Sequence, residues 1–468
     1  MTDERETKRG WVIGIDLGTT HTAVARAPLG EAAAPGEAAR PEVLPIEQLV
    51  PGGGLQARPL LPSNLYIPIA SEGPMALPWD AERTFVVGEL ARARGAEAPS
   101  RLVSSAKSWL CHPSIDRRAG ILPQGAPEDV EAISPVEASW RYLEHVAEAL
   151  EHAGGGALAE HEVILTVPAS FDAAARELTV EAASAAGIEH LTLLEEPQAA
   201  LYAWIDSMGE GFRKSLTVGD VVLVVDVGGG TTDFSAIEVR ESGGNFELAR
   251  VAIGDHILLG GDNMDLALAH VARTRLIEAG KEVDRWQLVQ LTHAARTAKE
   301  RLLADPSLEK AAVAIAGRGS QLVGSALRTE ITRDDVDRIL VDGFFPAVGS
   351  DARPVVRARG GLTQIGLPYA QDPAVTKHLA AFLARQAGAV KPQVAGGGAE
   401  ARAPRILCPT AVLVTGGVMT SDRLRARVME VLAAWCAGEG RPAPRVLTAP
   451  AWRARNAARC LVTAGSWA

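Results

Sequence analysis

Little in this 468-residue chain points to a metal centre, a disulfide framework or a membrane span. The four cysteines, Cys111, Cys408, Cys436 and Cys460, include no Cys-x-x-Cys pair, which fits a reducing compartment better than a stapled secreted fold. The ten histidines contain no His-x-x-x-His pair with an acid between. His145 and His152 fall on one amphipathic segment and read as packing residues. Aromatics make up only 4% of the chain, so close packing must rest on alanine, glycine and aliphatic side chains. No apolar run of about twenty residues is present. The opening "MTDERETKRG" has no signal-like core, and the expected location is cytoplasmic. Basic charge is also short: Lys and Arg total 47 against 57 Asp and Glu, for a net charge of −10. That balance argues against general nucleic-acid binding. Arg441, Arg445, Arg453, Arg455 and Arg459 follow one another without an intervening acid and read as a solvated tail. Finally, there is no G-x-x-x-x-G-K-[ST] loop and no G-x-G-x-x-G opening a helix.

What the chain does have is a pair of acid-flanked glycine turns. "WVIGIDLGTTHTAVARA" near the N-terminus and "VVLVVDVGGGTTDFSAIEV" at 221–239 each read as apolar strand, aspartate, glycine turn with threonines, and second strand. Glycine lets the backbone approach a phosphate and aim N–H groups at it, and threonine hydroxyls add donors. Asp16, Asp226 and Asp233 would repel phosphate directly, but they suit a magnesium ion and its waters. A third element, "LVTGGVMTSD", is a Gly-Gly turn entering a helix, which suits an anion or a nucleoside. An Asp-Gly turn alone is a common hairpin closure. Three successive glycines between paired strands are costly without a use.

The remaining pattern is α/β. "SPVEASWRYLEHVAEALEHAGG" is an amphipathic helix stopped by glycines, and "HEVILTVPASFDAAARELTVEAASAAGIEHLTLLEEPQAALYAWI" follows a strand–helix–strand–helix rhythm. "DNMDLALAHVARTRLIEAG" and a segment near 284–304 read as helices. "SNLYIPI" and "TFVVG" read as short strands, "PLGEAAAPGEAARPEVLP" as a loop, and "GAVKPQVAGGGAEARAP" as a flexible break.

The ordered set GIDLGTT, LTVPASF, LEEPQAALYAW, VVDVGGGTTDFS and VLVTGG resembles the actin-like ATPase superfamily. It is most similar to the nucleotide-binding domain of the DnaK-type seventy-kilodalton heat-shock chaperones, in a divergent bacterial branch. The resemblance covers roughly residues 11–435. It implies a two-lobed actin-like fold of duplicated ribonuclease-H-like domains around a central nucleotide cleft. Lobe I would span 11–200 and lobe II 201–435, with an insertion near 351–404 and an atypical tail at 436–468. It further implies ATP or ADP with magnesium, and potassium as an additional candidate cation. Asp16 and the backbone of Gly18, Thr19 and Thr20 would form the first phosphate loop. Asp226, Gly228, Gly229, Gly230 and Thr231 would form the second. Asp16 and Asp226 would hold the metal, mainly through water. Lys107 would orient the attacking water and γ phosphate, a surface helix lysine being the alternative. Glu196 would order metal-bound water, with adjacent Glu195 competing for that role. Pro197 would be the switch proline, and Asp233 would assist the hydrolytic water. Gly416 and Gly417 would lie beside the nucleoside, and Lys299 on its base side. His21 reads equally as a nucleotide contact or a hairpin surface residue.

The chain also departs from the family pattern. In "LTHAARTAKERLL", Arg296, Glu300 and Leu303 stand where the family offers an acid, an arginine and a serine to the base and ribose. "RGGLTQIGLPYAQDPAVTKHLAAFLARQ" reads as an insertion. No peptide-binding β-sandwich is expected in this sequence, and a truncated or frameshifted end is one expectation for "RVLTAPAWRARNAARCLVTAGSWA". The implied function is ATP hydrolysis driving lobe motion in a chaperone, with client proteins, J-domain proteins and exchange factors as partners. The alternatives are a sugar or acid kinase of the same superfamily, a polymerising scaffold, and a nucleotide binder without turnover.

Overall fold

The computed structural model describes residues 11–28, 41–112, 115–243, 245–317, 326–355, 369–389 and 403–448. Two compact units divide the chain, with the break between Glu210 and Gly211. It falls about one helix later than the expected lobe boundary, because helix Glu196–Met208 runs through residue 200.

In the first unit, β1 (Trp11–Leu17) and β2 (His21–Pro28) form the expected hairpin. A third strand, β3 (Glu42–Leu44), continues the antiparallel run inside a segment that sequence reading assigned to loop. On the other side of β1, β4 (Glu162–Val167) and β5 (Leu191–Glu195) pair in parallel. The order is β5-β4-β1-β2-β3. Parallel neighbours need a crossover. The one between β4 and β5 is α2 (Ala173–Ala185), which follows α1 (Pro135–His152) in the chain. Both helices start at legible signals. Ser134 caps α1 by accepting from the Glu137 amide with Pro135 in the first turn, and Asp172 caps α2 by accepting from the Ala175 amide. α3 (Glu196–Met208) leaves β5 directly, with Pro197 in its first turn. Val12, Ala23, Ala25 and Ile164 form a core cluster across the sheet.

The second unit repeats the plan. Its hairpin is β6 (Val221–Val227) and β7 (Thr232–Ser242), extended antiparallel by β8 (Asn245–Ile253). β9 (Ala411–Thr415) and β10 (Arg445–Val446) join β6 in parallel, giving the order β8-β7-β6-β9-β10. Each unit thus has one antiparallel three-strand run followed by two parallel strands, which is what the expected duplication requires. β6 is apolar on both faces, as a covered sheet demands. It packs with α4 (Gly261–Glu278) and α5 (Arg285–Ala304) in one core that includes Leu223, Phe234, Leu268 and Leu291.

Two boundaries differ from expectation. The segment expected as an insertion contributes α6 (Val375–Arg385), whose Leu379, Phe382 and Leu383 are buried in that same core. Residues 356–368 and 390–402 of that segment lie outside the described residues. The expected tail from 436 begins inside α7 (Asp422–Gly438) and continues into β10. There the exposed Arg445 pairs with the buried Asp220 at 2.6 Å. A two-residue strand carries no periodicity, so nothing in the sequence marked it. The other tail arginines, Arg453, Arg455 and Arg459, lie outside the described residues.

Candidate functional site

Each unit is built around one glycine turn at the carboxyl end of its central strand. Open α/β sheets place ligands at that edge. In the first unit, the Gly18 amide donates to the His21 carbonyl at 3.1 Å and closes the turn. A Cβ on Gly18 would lie 2.4 Å from that same oxygen, so only glycine fits. Ser63 staples the turn from outside: its amide donates to the Thr20 carbonyl at 2.9 Å and its hydroxyl to the Gly18 carbonyl at 2.8 Å. Asp16, one residue before the end of β1, accepts from the buried Thr166 hydroxyl of β4 at 3.0 Å. The Thr20 hydroxyl is buried and has no hydrogen-bond partner among the described residues. The Thr19 and Thr20 amides make no backbone hydrogen bond there either. Such a set of donors is a reason for the turn to meet an anion. His21 is exposed.

Lys107 is not a surface lysine. It is buried in the short helix Ala106–Trp109, and its Nζ lies 2.5 Å from Glu196 Oε1 and 6.0 Å from the Phe171 ring centroid. Ser105, just ahead of it, holds φ 55 and ψ 28, the one non-glycine residue with positive φ among the described residues. Strain of this kind collects where a side chain must be aimed. The neighbouring acids divide their partners. Glu195 accepts from Arg176 at 2.9 Å, whereas Glu196 takes Lys107. Pro197 is buried.

In the second unit, the Gly228 amide donates to the Thr231 carbonyl at 2.9 Å, the same closure as in the first. Behind the turn, the Gly261 and Asp262 amides at the start of α4 donate to the Gly228 and Gly229 carbonyls at 3.0 and 2.7 Å. A Cβ on Gly260 would lie 2.5 Å from the Gly229 oxygen, which is why that approach needs glycine. The carbonyl side of the turn is therefore fixed, and the Gly229 and Gly230 amides make no backbone hydrogen bond among the described residues.

Asp226 and Asp233 are register partners across the hairpin. Like charges directly opposite are unfavourable in a sheet unless other partners offset them. His256 Nδ1 lies 3.2 Å from Asp233 Oδ1. Sequence reading missed His256, which reaches Asp233 from beyond the end of β8. Gly416 has φ 90, and a Cβ there would lie 2.2 Å from the Val227 carbonyl and 2.5 Å from Asp226 Oδ1. At Gly417 a Cβ would meet nothing within 4 Å. The Thr415 hydroxyl is fully buried and has no partner among the described residues. Each unit thus holds one orphaned buried hydroxyl, Thr20 in the first and Thr415 in the second, a donor chemically compatible with a phosphate oxygen or a cation-bound water.

On α5, Lys299 and Arg296 turn toward α4. Lys299 Nζ lies 2.7 Å from Asp265 and donates to the Gly261 carbonyl at 3.2 Å. Arg296 bridges Asp265, at 2.7 Å, and Asp262. Glu300 is exposed, and Leu303 packs against the core. Lys299 thus braces the start of α4 behind the second glycine turn.

Comparison with known proteins agrees with this architecture. A family model described as Hsp70 protein matches residues 115–348. That span holds Glu196, Asp226 through Asp233 and Lys299, and leaves Asp16, Lys107, Gly416 and Gly417 outside. A chaperone protein HscA homolog of Shewanella denitrificans is 32% identical over 343 residues, covering 70% of this chain and 46% of that protein. Chaperone protein HscA of Pectobacterium carotovorum is 33% identical over 347 residues, covering 71% and 47%. A HscA homolog of Pseudomonas aeruginosa is 35% identical over 319 residues, covering 65% and 44%. The chain spans about half the length of the curated relatives it matches. With half of its residues matched by that family model and its sheet order duplicated around two glycine turns, the chain belongs to the Hsp70 protein family.

Proposed function

We propose that this chain binds ATP and ADP with magnesium, hydrolyses ATP at the γ phosphate, and serves as the nucleotide-driven part of a chaperone. The observation that carries the reading is the repeated one: an aspartate and a glycine turn of identical closure, at the same strand end of two sheets with the same order. Family membership and the printed description of the relatives as chaperone proteins support it.

The first turn would meet phosphate with its backbone amides and the hydroxyls of Thr19 and Thr20, and the second with its amides and the Thr231 hydroxyl. Asp16 in the first unit and Asp226 in the second would be the residues that hold magnesium through water, a metal whose chemistry, when bound, is charge neutralisation at phosphate. Lys107 would face the γ phosphate and orient the attacking water. Its ammonium is already aimed by Glu196 on one side and the Phe171 ring on another. Asp233, held beside His256, would accept a hydrogen bond from the attacking water as it adds to phosphorus and ADP departs with the bridging oxygen. Positioning and charge neutralisation supply most of the acceleration in such transfers. Gly416 and Gly417 would pass beside the nucleoside.

Client proteins, J-domain proteins and exchange factors are the partners this reading implies, with potassium as a further cation and the cytoplasm as the location. Phosphate release from ATP should fall at least ~100-fold in Lys107→Ala and Asp226→Ala. Unchanged release in both would remove the site. Calorimetric binding of ATP by the wild type without any release would leave a nucleotide binder and remove the hydrolase.

A further inference from the structure

The register of the second sheet aligns three side chains in one row. Asp233 on β7, Asp226 on β6 and Thr415 on β9 are successive partners, so they emerge on one face at one edge of the sheet. Gly416 follows Thr415, and the space its Cβ would take lies 2.5 Å from Asp226 Oδ1. The Asp226 carboxylate is therefore held against the backbone that carries Thr415. Thr415 is 0% exposed, yet its hydroxyl has no partner among the described residues. Burying an unpaired hydroxyl is destabilising, and valine would fill the position without that cost.

The first unit shows what such a threonine does. Thr166 occupies the corresponding place, one strand over from Asp16 on the parallel side, and its Oγ1 donates to Asp16 Oδ1 at 3.0 Å. The two sheets share their strand order and their turn closure. The same residue type thus recurs at the same place with its bond made in one copy and unmade in the other.

We propose that Thr415 is a positioning residue for the Asp226 carboxylate: its hydroxyl donates to Asp226 when a hydrated magnesium ion and nucleotide are bound, and is left unpaired without them. The cost of the buried hydroxyl is carried by the ligand-free protein, and its bond strengthens the ligand-bound form. This rests on the nucleotide reading above and extends it to a residue with no other evident purpose.

The two roles predict effects of opposite sign, which a purely structural role would not give. Thr415→Val removes the hydroxyl and keeps the shape. In the nucleotide-free protein its thermal midpoint should equal or exceed that of the wild type. Its affinity for ADP with magnesium, measured by titration calorimetry, should fall about tenfold. The magnesium concentration needed for half-maximal ADP binding should rise with it, and Thr415→Ser should restore both. A Thr415→Val protein that binds ADP and magnesium like the wild type overturns the proposal. A lowered midpoint in the nucleotide-free state also overturns it, since the hydroxyl would then be bonded in the ligand-free fold. Asp226→Asn separates the levels: if it too leaves magnesium-dependent binding unchanged, the nucleotide reading itself fails, whereas loss of binding there with none in Thr415→Val removes only the role of Thr415.

Discussion

One methyl group decides whether position 416 can be anything but glycine. A Cβ there would sit 2.2 Å from the Val227 carbonyl, on a backbone at φ 90. Gly416→Ala is expected to cost at least about 2 kcal/mol in a urea titration and to abolish ADP binding, whereas Gly417→Ala should stay within about 0.5 kcal/mol. The pair was legible in the sequence, but which glycine bears the constraint was not. Sequence also gave no sign of Ser63, Thr166 or His256, because each acts on a residue far along the chain: Ser63 on Gly18, Thr166 on Asp16, His256 on Asp233. Thr166→Val should destabilise the free protein by about 1–3 kcal/mol by stripping a donor from Asp16. His145 supplies a pH test. Burial holds its imidazole neutral, with its pKa lowered from 6.5 to about 4 despite the 2.9 Å bond to the Glu47 carbonyl. The unfolded chain therefore binds the proton first as pH falls. Stability contributed by the neutral ring is complete above about pH 6.5 and is lost as pH drops towards about 4. Across that window the wild type should lose on the order of 3 kcal/mol more than His145→Gln does, read from urea midpoints at each pH.

At the scale of elements, the chain announces those with a local grammar. Strand, aspartate and glycine turn gave both hairpins to within three residues, and "SPVE" marked the start of α1. Ser134→Ala should cost about 1 kcal/mol by leaving the Glu137 amide unsatisfied. Elements without such grammar were missed or misjudged. β3 and β10 are three and two residues long, held by sheet neighbours and not by pattern. α6 lay inside what read as an insertion, although its Leu379, Phe382 and Leu383 spacing is a helical face. The short helix carrying Lys107 is the case with a functional edge. Its left-handed Ser105 costs energy that the surroundings must offset. Ser105→Gly is expected to raise stability by about 1 kcal/mol. Any accompanying fall in phosphate release would show that the serine, not the mere backbone turn, keeps Lys107 aimed.

For the whole molecule, the sheet-order duplication is the fact from which the rest follows, and it was legible only as two similar phrases in the sequence. The two threonines beside the two aspartates became comparable only once strand order was known. If nucleotide and magnesium engage the native fold and not the unfolded chain, ADP at a hundred times its dissociation constant should stabilise the protein by about 2.7 kcal/mol. EDTA should remove most of that shift in the thermal midpoint while leaving the ligand-free midpoint alone. The attachment of the second glycine turn to α4 has a mechanical consequence. With the Gly228 and Gly229 carbonyls tied to its first amides, this 18-residue helix is an arm about 27 Å long, pinned to the glycine turn at its N-terminal end. Under the proposed function, a tilt at the turn would be carried along that arm to the Glu278 end, so a change in the phosphates bound there would be felt at a surface that never touches them.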